Sequence, residues 1–178
     1  MKKRRRWDVI IDRMPKNRDI VGVELGVYQG KMSGYLLEAL PNLTLYMVDR
    51  WSEYTEEERK TSTGRMPKDS QDVFDTAYAM SVSVAHKYGR RAVIVRASTE
   101  DALDYVPHSL DFVFIDADHS YEACRNDILN WRDRVKPGGI LSGHDYGKMS
   151  HPGVTKAVDE VFTGGIETDV DGVWMVRM

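Results

Sequence analysis

Two carboxylates and an imidazole follow directly on an apolar run in DFVFIDADHSYEA, residues 111–123, where Phe112 to Ile115 give way to Asp116, Asp118 and His119. A second run, GGIL, ends in Ser142-Gly143-His144-Asp145. If both runs are neighbouring parallel strands, their ends lie about 5 Å apart, and Asp116, His144 and Asp145 converge. Such a set offers hard and borderline ligands to a divalent cation. The plainer alternative is that the two carboxylates position substrate and cap helices. His119, with an ordinary pKa near 6.5, can take a hydroxyl proton at neutral pH. Its own alternative is a structural one, in which Asp118 or His119 caps a helix starting near Tyr121.

A different chemistry is suggested near the N-terminal end. In VELGVYQGKMS, Glu24 ends an apolar run and Gly26 and Gly30 occupy the turn that follows. The middle glycine of the dinucleotide fingerprint G-x-G-x-x-G is missing and Tyr28 stands there, which argues against a pyrophosphate at this turn. About twenty residues past the glycines, YMVDR brings Asp49 and Arg50 to the end of another run, where a carboxylate can accept both hydroxyls of a ribose. A tight strand-to-helix turn without a ligand would use the same glycines.

The elements that must position these residues alternate. Short β-branched runs predict strands at 20–25, 43–48, 92–96, 111–115 and 139–142, and helical spacing predicts helices near 31–40, 70–88, 99–105, 121–135 and 154–162. This is the pattern of an α/β fold, doubly wound around a mostly parallel sheet, whose ligands lie outside the carboxyl ends of the strands. IETDV and VWMVRM flank an Asp-Gly pair and predict a terminal antiparallel hairpin. Residues 52–69, with few apolar anchors, read as a mobile insertion or lid. With 178 residues and 42% hydrophobic content, the chain suits a single domain over 1–178.

Lys+Arg 25 against Asp+Glu 28 gives a net charge of −3, which supplies no global field for nucleic acid or an anionic membrane. The basic run from Lys2 to Arg6 is expected to be a solvated tail. The single cysteine, Cys124, forms no internal disulfide, and neither a membrane span nor a secretory signal is legible, so a cytoplasmic protein is expected. A homo-oligomer is compatible with the sequence. Tyr28, Trp51, Tyr54, Tyr78 and Trp131 line a pocket or fill the core; His86, His108 and His151 read as surface histidines.

Glu24-x-Gly26-x-x-x-Gly30 followed by Asp49 resembles the S-adenosylmethionine site of class I methyltransferases, and the terminal hairpin resembles the antiparallel end of their seven-stranded, Rossmann-like sheet. RASTED resembles the adenine-contacting turn of catechol O-methyltransferase, with Ala97 and Ser98 matching. FVFIDADHSYE, KPGGILSGHDY and HPGVTKAVDEVF resemble small bacterial O-methyltransferases, including macrolide-sugar enzymes and cephalosporin-biosynthesis relatives. The resemblance covers the chain from about Ile20 onward. It implies S-adenosylmethionine held by Glu24, Gly26, Gly30, Asp49, Arg50, Ala97, Ser98 and Asp116, and methyl transfer to a small-molecule hydroxyl. In the catechol and caffeoyl-CoA enzymes the positions of Asp116, His144 and Asp145 hold Asp, Asp and Asn around magnesium. The histidine here implies Mn, Fe or Zn over Mg, or no metal. His119 falls where those enzymes carry a catalytic lysine. The rival readings are a nucleotide-binding oxidoreductase, a non-catalytic S-adenosylmethionine-binding module and, prompted by the basic tail, a nucleic-acid methyltransferase, against which the charge and the lack of an Asn/Asp-Pro-Pro-aromatic motif both count.

Overall fold

The computed structural model describes residues 3–56, 58 and 70–178. Most of the expected lid at 52–69 lies outside these residues. The described chain opens with a short helix, α1 (Arg6–Ile11), and continues as β1 (Ile20–Leu25), α2 (Lys31–Ala39), β2 (Leu43–Asp49), α3 (Gln71–Tyr88), β3 (Ala92–Arg96), β4 (Leu110–Ile115), α4 (Tyr121–Arg132), β5 (Val135–Gly143), α5 (Pro152–Val161), β6 (Glu167–Asp169) and β7 (Val173–Arg177). Seven strands pair in the order β3-β2-β1-β4-β5-β7-β6. The first five are parallel, and β7 runs antiparallel to both β5 and β6, as the Asp-Gly turn implied.

The near-continuous apolar character of β4 follows from burial on both faces. Phe112 and Phe114 pack with Leu36, Leu37 and Trp51 on the face covered by α1, α2 and α3, while Val113 and Ile115 pack with Ile128, Trp131 and Val158 beneath α4 and α5. The same alternation on β1 sends Val23 and Leu25 to the second layer and leaves Glu24 on the α2 side. Gly22 lies opposite Phe112 across the β1–β4 pair, and any Cβ there would overlap the phenyl ring. Because chain order reverses between β1 and β4, their carboxyl ends flank the crevice where this topology binds ligands.

Three expectations need correction. The segment 99–105 forms only a 3₁₀ turn, Asp101–Asp104, because Pro107 biases Val106 away from helical backbone and leaves no room for a longer helix. The helix from Tyr121 ends at Arg132, since Val135 already enters β5. The basic N-terminal run stays exposed at Lys3, Arg4 and Arg5, but it leads into a packed helix and two of its arginines are paired rather than free in solvent. Trp7, Val9 and Ile10 of α1 are buried, Arg4 pairs with Asp12 at 2.9 Å and Asp169 at 3.3 Å, and Arg6 pairs with Asp116. A helix of six residues is too short for periodicity to reveal and owes its stability to this packing. Among the described residues no helix is long and apolar enough to cross a membrane.

Candidate functional site

The carboxyl ends of β1 to β4 open onto a cavity of ≈ 750 Å³, within the range of small-molecule sites. Its wall includes Gly26, Asp49, Arg50, Ala97, Ser98, Asp116 and His119, which places these sequence-predicted residues around one space. Glu24, Gly30, His144 and Asp145 are not on that wall. Glu24 lies behind it, buried, and accepts a hydrogen bond from Ser33 Oγ of α2. Burial pushes its pKa up to about 8, against the Ser33 hydrogen bond. Gly30 starts α2 at φ 72° and packs toward Ser81 of α3.

Gly26 is required for a reason other than ligand space. At φ 85°, with its strand end against β4, a Cβ would overlap the Asp116 carbonyl oxygen. Asp49 organises the facing loop. Its Oδ2 accepts from the Tyr28 N–H at 2.8 Å and its Oδ1 from the Trp51 N–H at 2.8 Å, leaving a second lone pair on each oxygen. Burial raises its pKa despite those amides and the opposing backbone N–H and charge of Arg50. Arg50 is committed to Glu58 at 2.6 Å and lies over the Tyr54 ring. Ser98 Oγ ties down the turn before the 3₁₀ segment, accepting from the Asp101 N–H at 3.0 Å.

Of the five aromatics, Tyr28 and Tyr54 reach the cavity, whereas Trp51 and Trp131 are fully buried and Tyr78 packs on Trp51. Sequence reasoning missed Phe74, Thr99, Asn126 and Asp127 on the wall. Asp127 lies one helical turn beyond Ala123 on the same face of α4, and both reach the wall. Its burial raises the pKa to about 7, although Thr99 hydrogen-bonds to it.

At the β4 and β5 ends the expected residues do converge. His119 Nε2 lies 2.6 Å from Asp145 Oδ2 and 3.5 Å from Asp116 Oδ1; His144 Nδ1 lies 3.2 Å from Asp145 Oδ1 and 3.5 Å from Asp116 Oδ1. His119 Nε2 is buried yet off line for a hydrogen bond, so it is an ion-paired nitrogen with an unmet donor direction. Burial alone would lower both imidazole pKa values, but the Asp116 and Asp145 carboxylates outweigh it and hold each at about 9. Asp145 responds in the opposite sense: burial is overridden by His119, His144 and Lys148, which hold its carboxyl well below the usual range. Tyr28, Trp51, Asp145 and Asp171 all adopt positive φ around this end of the sheet, a concentration of backbone strain of the kind found at functional sites.

Two alternatives are corrected here. The cap of α4 is Ser120, which accepts from the Ala123 N–H at 3.3 Å, while Asp118 accepts from Ser120 at 2.7 Å; His119 is not a cap. His151 is no ordinary surface histidine, because its ring packs 4.4 Å from that of His119, whereas His86 and His108 are exposed.

Asp116, His144 and Asp145 were tested as ligands of the divalent ion implied by the resemblance. Donor separations of 3.2–3.5 Å equal the edges of a coordination shell with bonds of about 2.0–2.3 Å. Two cationic side chains, however, already stand against this set. Arg6 Nη1 holds Asp116 Oδ2 and lies 3.3 Å from His144 Nδ1, while Lys148 Nζ is 2.8 Å from Asp145 Oδ1. As arranged, the residues do not fit a metal.

The sequence profile of a methyltransferase domain family matches residues 23–146, from β1 to just past β5. Among solved structures, an rRNA methylase from Streptococcus thermophilus superposes with a TM-score of 0.65 at 14% identity, covering 99% of this chain and 98% of the other. A putative caffeoyl-CoA O-methyltransferase from Staphylococcus aureus gives 0.66 at 13% identity, with 100% and 85% covered. The O-methyltransferase NovP gives 0.62 at 20% identity, with 96% and 74% covered. At these identities the likeness is one of fold. No curated protein is similar enough in sequence to count as a match.

Proposed function

The chain belongs to this methyltransferase domain family, class I and dependent on S-adenosylmethionine, and from that premise we propose that it methylates a hydroxyl oxygen of a small-molecule acceptor. The observation that carries the reading is the continuity of one cavity from Gly26, Asp49, Ala97 and Ser98 to Asp116 and His119. Asp49, fixed by two backbone amides, offers its free lone pairs to the ribose hydroxyls, and the Ala97–Thr99 turn and α4 flank the adenine. The acceptor oxygen lies toward His119. Methyl transfer is an in-line displacement: the oxygen bonds to the methyl carbon as the carbon–sulfur bond breaks, and the acceptor's proton leaves to His119 once that ring is neutral.

His119 is held through Nε2 by Asp145 much as a general base is oriented by a neighbouring carboxylate, so Nδ1 is the ring nitrogen left to accept the hydroxyl proton. Asp116 aligns His119 and His144 from the other side. The metal-assisted form of this reaction is set aside, because Arg6 and Lys148 already pair with the Asp116 and Asp145 carboxylates, and no step is routed through an ion. A small-molecule acceptor is favoured over RNA because Arg4 and Arg6 are used in internal ion pairs and the net charge is −3.

The test is calorimetric titration of S-adenosylhomocysteine, followed by a radiolabelled-methyl screen of phenols, sugars and aliphatic alcohols. Micromolar binding with transfer to oxygen is expected. Tight binding of NAD in its place, or methylation confined to RNA, refutes the reading.

A further inference from the structure

Asp116 and Asp145 are both largely buried, with side-chain exposures of 16% and 8%, and they face each other across His119 and His144. Buried carboxylates at this spacing require cations, or they take up protons. In a divalent-ion enzyme the ion supplies that charge. Here the chain supplies it from a distant part of the sequence: α1 carries Arg6 across 110 positions to Asp116 Oδ2, and the same Nη1 stands 3.3 Å from His144 Nδ1. A guanidinium is suited to the role because it stays charged at every accessible pH and carries five donors. Lys148 does the matching work on Asp145.

We propose that Arg6 is the resident cation of the Asp116–His144–Asp145 set, standing where a divalent ion would otherwise bind, so that this set works without a metal. Arg6 is a positioning residue: it holds Asp116 Oδ2 while Oδ1 faces His119 and His144, and it is not on the cavity wall. The inference rests on the reading of this cavity as the reaction site, but its test does not need turnover.

α1 is anchored independently of Arg6 by the burial of Trp7, Val9 and Ile10, and Trp7 also stacks on Tyr35 with ring centroids 4.2 Å apart. Removing the guanidinium should therefore leave the donor triad in place with Asp116 released, while Lys148 still pairs with Asp145. Calorimetric titration of Mn²⁺ into the parent, Arg6→Ala and Arg6→Lys is the experiment, with Arg6→Gln as a second neutral variant should alanine unfold. The neutral variants are expected to bind Mn²⁺ at least about tenfold more tightly than the parent, Arg6→Lys to resemble the parent, and a further Asp116→Asn change to abolish the gained site. Equal Mn²⁺ affinity in parent and neutral variants overturns the proposal, as does the absence of binding in all of them, since the set with Asp116 released would then not be an ion site. S-adenosylhomocysteine titrated into the parent separates the two readings: its failure to bind sinks the proposed function and leaves the Mn²⁺ comparison standing.

Discussion

Replacing Asp145 by asparagine removes the carboxylate 2.6 Å from His119 Nε2 and leaves only Asp116, at 3.5 Å. In the parent the His119 pKa stands at about 9, so at pH 7.5 only ~3% of the ring is neutral and able to accept a proton. The expected turnover therefore climbs about tenfold per pH unit through the neutral range and levels off near pH 9, not near the pH 6.5 of an unperturbed imidazole. Loss of Asp145 should bring the His119 value down by about one to two units, moving the acidic limb to lower pH while the plateau falls because the ring is less well oriented. The direct assay is NMR titration of the histidine ring carbons between pH 5 and 10, with the signal assigned by His119→Gln. His119 and His144 should titrate near 9 in the parent, and His151, lowered by burial and by the neighbouring His119 charge, below its ordinary value. A His119 midpoint near 6.5 in the parent, or one unmoved by Asp145→Asn, refutes the assignment of His119 as an Asp-held base.

Asp49→Ala should weaken S-adenosylhomocysteine binding by about 1–3 kcal/mol through loss of charge-assisted hydrogen bonds, and an unchanged calorimetric affinity would remove Asp49 from the ribose. Gly26→Ala is expected to lower the urea midpoint sharply even without ligand, because the methyl overlaps the Asp116 carbonyl and the residue sits at φ 85°; a variant as stable as the parent that has merely lost ligand affinity would contradict this. Glu24 remains protonated in the fold up to about pH 8 whereas the unfolded chain ionises near 4.5, so stability falls as pH rises through that window; Glu24→Gln should flatten the fall, by roughly 3–5 kcal/mol at most, and parallel melting curves for the two proteins would exclude it. Excess chelator should leave parent turnover unchanged, and a loss of more than about fivefold that added Mn²⁺ restores would show that an ion displaces Arg6 and Lys148 during the reaction.

The strand ends that bear chemistry were readable because each is a local event: an apolar run forced by burial on both faces stops, and the first polar residue after it must stand at the sheet's edge. Asp49 and Asp116 are found that way, and the alternation of runs and helical segments identifies the parallel sheet that gathers them. The Asp-Gly pair between β6 and β7 likewise specifies its own turn, with Asp171 at φ 62°. Pairing across long separations carries no such local mark. Nothing in RRRWDVII tells that Trp7 and Ile10 bury the helix against α2 and so deliver Arg6 to Asp116, and nothing around His151 tells that it meets His119. The role of Gly26 needed the position of the β4 carbonyl, and that of Glu24 needed the α2 layer on its face of β1. The same limit applies to charge: residue types give the carboxylates and imidazoles, but their protonation depends on burial and on neighbours within about 4 Å, and those distances exist only once the chain has folded.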